Sequence, residues 1–152
     1  GTSAYRLPHC RVVGTTVDPL ELVAAAHGCF PHDPGREREF RAAVAPFEHL
    51  LGKLAMEFRQ EDICRGAGDG EAYDVVLCNG LLGGPLLHEP AMLASAVAGL
   101  VARLRPGGVF LAADRFHAGW KRQVSTDDMV QLLKSLAVQP VVVGEGVGGI
   151  RT

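Results

Sequence analysis

Carboxylates and one side-chain amide recur just after the apolar segments of this chain. Asp18 follows Val12-Val13-Gly14-Thr15-Thr16-Val17, and Glu61-Asp62-Ile63 follows Met56–Gln60. Asn79-Gly80 follows Tyr73–Cys78, and Asp114-Arg115 follows Val109–Ala113. A carboxylate accepts strong hydrogen bonds from hydroxyls and amines, and an amide both donates and accepts. Such groups suit a small ligand with hydroxyl and amino functions. Helix capping uses the same residue types, so both roles stay open for Asp18. Metal and thiol chemistry have weaker signals. Cys10, Cys29, Cys64 and Cys78 form no C-x-x-C pair, and no two histidines stand four residues apart on one helical face. The cysteines read as reduced thiols serving as small apolar groups, and no metal is expected.

Placement gives these residues meaning, because open parallel sheets bind ligands outside the carboxyl ends of their strands. The chain alternates strand-like and helix-like segments, which predicts an α/β fold with a mainly parallel sheet. Arg11–Gly14 is a short strand. Asp18-Pro19-Leu20-Glu21 starts a helix with a capping-box-like pattern, and Gly28 ends it. After a polar turn at His32–Arg36, Phe40, Val44, Phe47, Leu51 and Leu54 form one apolar helical stripe that Pro46 interrupts. Met56–Arg59 is a short strand, and Gly66–Gly70 a turn. Tyr73–Cys78 is the clearest strand and opens into the glycine-rich loop Asn79–Pro85. Leu93, Val97, Leu100, Val101 and Leu104 mark a helix that Arg105-Pro106-Gly107-Gly108 ends, turning into the strand Val109–Ala113. Ser125-Thr126-Asp127-Asp128 caps a last helix running to about Ala137. Pro140–Val143 is a strand, with Gly148–Thr152 folding back beside it.

The run Val141–Gly149 also resembles a dinucleotide-binding loop. That chemistry needs a helix after the glycines, and three residues remain after Gly149. A hairpin turn is the preferred reading.

Composition sets the outer limits. The 152 residues fit one domain, and 47% hydrophobic with 21% charged residues excludes wholesale disorder. Fifteen Lys+Arg against seventeen Asp+Glu leave a net charge of −2 with no block of one sign. Neither nucleic acid nor a membrane surface is therefore expected as a partner. No apolar run reaches a membrane span and the first residues lack a signal-peptide pattern, so a soluble, cytoplasmic protein is expected.

Three segments together resemble class I S-adenosylmethionine-dependent methyltransferases. Leu104-Arg105-Pro106-Gly107-Gly108-Val109-Phe110-Leu111, followed by Asp114, is similar to that family's junction into its fifth strand. Tyr73–Asn79 resembles its fourth strand, and Phe58–Ile63 its third. A narrower resemblance is to the chemotaxis-receptor (CheR-like) methyltransferases. Val12–Pro19 looks like their second strand, Leu22–Phe30 like the helix after it, and Asp62-Ile63-Cys64 and Leu77-Cys78-Asn79 match their patterns in outline. The resemblance implies a Rossmann-like sandwich with a C-terminal antiparallel hairpin and S-adenosylmethionine as cofactor. It places Thr16 and Asp18 towards the ribose, Asp62 and Ile63 at the adenine, and Asn79 and Gly80 along the active cleft. His117, Trp120 and Arg122 fall where such enzymes often meet substrate. The implied acceptor is a protein or small molecule, and a protein glutamate in the narrower reading. No residue is assigned as catalytic, because methyl transfer needs positioning more than a dedicated base.

Two departures stand out. The family's first strand and glycine-rich loop have no counterpart before Arg11, and its ribose-binding acid falls on Thr16. That strand lies between the second and fourth, so its loss leaves two neighbours without backbone partners. The chain is then part of a longer domain (the first choice), or its sheet closes by another pairing, or a homodimer supplies the surface. A non-catalytic methyltransferase-like module for protein interaction or regulation is the competing class.

Overall fold

The computed structural model describes residues 10–30, 32–51, 54–65, 70–84, 87–113, 124–141, 143 and 146–152. Asp114, Arg115, His117, Trp120, Arg122 and most of the Gly66–Gly70 turn lie outside the described residues. The chain forms two compact units, Gly1–Asp62 and Ile63–Thr152.

The first unit runs β1 (Arg11–Thr16), α1 (Pro19–His27), α2 (Pro34–Val44), a 3-10 turn (Ala45–Phe47), α3 (Glu48–Leu51) and β2 (Ala55–Gln60). Asp18 caps α1 by accepting the Leu20 amide at 2.8 Å, with Pro19 in the first turn. Gly28 ends the helix in the left-handed conformation, φ 60°, and the Cys29 amide closes on the Ala24 carbonyl at 3.0 Å. Pro46 has no amide proton to donate, and the long stripe breaks there into the 3-10 turn. β1 and β2 pair in parallel, from Arg11 opposite Ala55 to Thr16 opposite Gln60.

The second unit runs from a 3-10 turn (Ile63–Arg65) through β3 (Tyr73–Asn79), α4 (Pro90–Ala102), β4 (Leu104–Ala113), α5 (Thr126–Ser135), β5 (Val138–Val141) and β6 (Gly146–Arg151). Its sheet has the order β3-β4-β6-β5, with β3 and β4 parallel and β6 antiparallel to both neighbours. One sheet face meets the core. Phe110, Val138, Cys78, Ala112 and Val147 are buried with Leu93, Val97, Leu100 and Val101 of α4 and Met129 and Leu133 of α5. Among the described residues, every buried hydrophobic side chain belongs to this unit. Arg151 ties the sheet to the end of α4, donating to the carbonyls of Val101, Ala102 and Leu104.

Three boundaries differ from the sequence expectation. β4 begins at Leu104 rather than Val109. Tyr73 pairs with Leu104, the register shifts before Val75, and Gly107 at φ 79° absorbs the shift. α5 stops at Ser135 and β5 starts at Val138, because Ala137 at φ 57° reverses the chain two residues early. β6 starts at Gly146 and lies between β4 and β5, so Gly146, Gly148 and Gly149 belong to a strand, while Gly144 lies outside the described residues. A Cβ on Gly149 would stand 2.9 Å from the Gln139 carbonyl oxygen and collide with Val138 Cγ1.

β1 and β3 are each the last strand of their own sheets.

Candidate functional site

Parallel pairing sends the carboxyl ends of β1 and β2 the same way, as the ligand expectation requires. The Glu61 amide donates to the Thr16 carbonyl at 2.9 Å, and Gln60 Nε2 donates to the Val17 carbonyl at 3.0 Å. Thr16 donates its hydroxyl to Glu21 Oε2 at 2.6 Å and accepts the Asp18 amide at 3.2 Å. Asp18 is the cap of α1. Two of the six predicted site residues therefore hold the entry to a helix. Asp62 is half-buried at the last position of this unit.

Glu21 does not complete a reciprocal capping box with Asp18. It takes the Thr16 hydroxyl instead, a partnership that sequence reasoning missed. The visible signal was two polar residues five apart across a helix start. Gln60 was missed as well. Its position opposite Thr16 in the parallel register is what brings its amide to Val17.

In the second unit, Asn79 is exposed at the end of β3, opposite Ala113 of β4. Gly80 follows at φ 68°, a conformation that costs glycine little. The loop beyond is tied to itself. Gly83 N–H donates to the Leu87 carbonyl at 2.8 Å, Leu87 N–H to the Gly84 carbonyl at 3.2 Å, and Gly84 N–H to the Leu81 carbonyl at 3.3 Å. Gly83 and Gly84 are buried, so their smallness serves this turn. Ile63 packs partly buried against the core of the second unit. Its side chain has a structural occupation, whereas Asn79 keeps an exposed side chain at a strand end.

Charge in the first unit concentrates elsewhere. Glu57 on β2 accepts from both Arg59 and Arg11, and these hydrogen bonds lower its carboxyl pKa to about 2. The Phe30 amide and the Arg41 guanidinium lower that of Glu37 in the same direction. A cavity of about 670 Å³ opens beside α1, lined by Glu21, Ala24, Gly28, Phe40 and Phe58 among others, and none of the predicted site residues lines it. Among the described residues, no group of three or more His, Cys, Asp or Glu side chains could hold a metal ion. No helix among them is long and apolar enough to cross a membrane.

Solved structures share this architecture. A TehB-like S-adenosylmethionine-dependent methyltransferase from Corynebacterium glutamicum matches 92% of this chain and 66% of its own, at 13% identity and TM-score 0.54. Magnesium protoporphyrin IX methyltransferase from Synechocystis matches 97% and 72%, at 17% identity and TM-score 0.53. CalS10, an amino pentose methyltransferase from Micromonospora echinaspora, matches 97% and 85%, at 16% identity and TM-score 0.53. A scan of protein-family models gives no match, and a search of curated protein sequences gives none. At these identities the likeness defines the fold. The chain has an α/β, Rossmann-like methyltransferase architecture, with parallel pairs and a C-terminal antiparallel hairpin.

Proposed function

We propose that this chain contributes to a domain that transfers methyl groups from S-adenosylmethionine. The observation that carries this reading is the extent of the likeness: 97% of the chain matches two methyltransferase structures in fold. Of the residues expected to hold the cofactor, those after the later strands fit it best. Asn79 offers a donor and an acceptor from an exposed strand end, Gly80 brings bare backbone beside it, and Asp62 offers a carboxylate for hydroxyl or amino groups. Thr16 and Asp18 fit less well, because both are spent on the first turn of α1. When bound, S-adenosylmethionine supplies an electrophilic methyl group. The part left to the protein is to bind, orient and exclude water.

The finer reading is protein-glutamate O-methylation of the chemotaxis-receptor kind, and sequence resemblance alone supports it. A glutamate carboxylate is already ionised at neutral pH, so this acceptor needs no general base. A second reading, a non-catalytic module for protein interaction, is favoured by one observation. The Thr16 hydroxyl stands where a ribose-binding carboxylate is expected, and its partner is Glu21.

Calorimetric titration with S-adenosylhomocysteine separates the two. Binding at about micromolar strength, weakened about tenfold by Asp62→Ala or Asn79→Ala, supports methyl transfer. No heat up to about millimolar ligand, from a chain with a cooperative melt, overturns it in favour of the interaction module.

A further inference from the structure

We draw no further inference here: the strongest candidate, the cavity beside α1 walled by Ala24, Ala25, Phe30, Phe40 and Phe58, is an apolar groove whose carboxylates Glu21 and Asp33 already accept the Thr16 hydroxyl and the Arg36 amide, and nothing in the structure shows what covers it.

Discussion

Thr16 and Glu21 are joined by a hydrogen bond, the Thr16 hydroxyl donating to Glu21 Oε2 at 2.6 Å while it accepts the Asp18 amide. The pair bridges the end of β1 and the first turn of α1. It also engages the hydroxyl at the position where the sequence resemblance expects a cofactor ligand. The carboxyl end of β1 is thus organised for helix entry, whereas Asn79 at the end of β3 keeps an exposed side chain.

Asp18→Ala removes the side-chain acceptor of the Leu20 amide and should lower stability by about 1 kcal/mol. Asp18→Asn keeps an acceptor and should recover most of the loss. Urea unfolding of the three chains checks the order. Equal stability of the Ala variant and the parent would mean that the cap contributes nothing.

Glu57 should titrate with a midpoint near pH 2, because Arg59 and Arg11 hold its carboxylate. A carboxyl group with its folded pKa depressed contributes stability above its ordinary pKa of 4.5, and that contribution fades as pH falls towards 2. Carboxyl-carbon NMR over this range reads the midpoint directly. A value near 4.5, or a midpoint unmoved in Arg59→Gln, would show that the arginines do not hold it.

Gly149 is fixed by packing. A methyl group there meets Val138 Cγ1 and the Gln139 carbonyl oxygen, so Gly149→Ala should destabilise the chain by about 1–3 kcal/mol. Adding Val138→Ala removes one of the two clashes. The double variant should then lose less than the sum of the single losses, a coupling that a double-mutant cycle measures. Strict additivity would mean that the two residues do not meet.

Much of this fold was legible. The Ser125 capping box, with the Ser125 hydroxyl accepting the Asp128 amide at 3.0 Å, and the Gly28 stop follow from side-chain and backbone chemistry within one helical turn. The strands Arg11–Thr16, Ala55–Gln60 and Tyr73–Asn79 extend the expected segments by one or two residues. The rest depends on contacts distant in sequence. Ala137 has no residue-type signal for φ 57°, and tertiary structure imposes the turn at that point. Gly146, Gly148 and Gly149 carry no side chains from which a strand period could be read, and only the packing of Gly148 against Leu111 and of Gly149 against Val138 reveals why those two are small. Of the site, Asn79 and Gly80 stand at a strand end as expected. The roles of Thr16 and Ile63 depended on where Glu21 points and on what the second core reaches, and neither was readable from spacing.

Under the proposed methyl-transfer function, the groups after the later strands receive S-adenosylmethionine. Amide chemical-shift mapping of the labelled chain, titrated with S-adenosylhomocysteine, tests it residue by residue. The expected result is saturable shifts at Asp62, Ile63, Asn79 and Gly80, with the α5 amides from Thr126 to Ser135 unmoved. Shifts confined to other surfaces, or none up to about millimolar ligand, would contradict it.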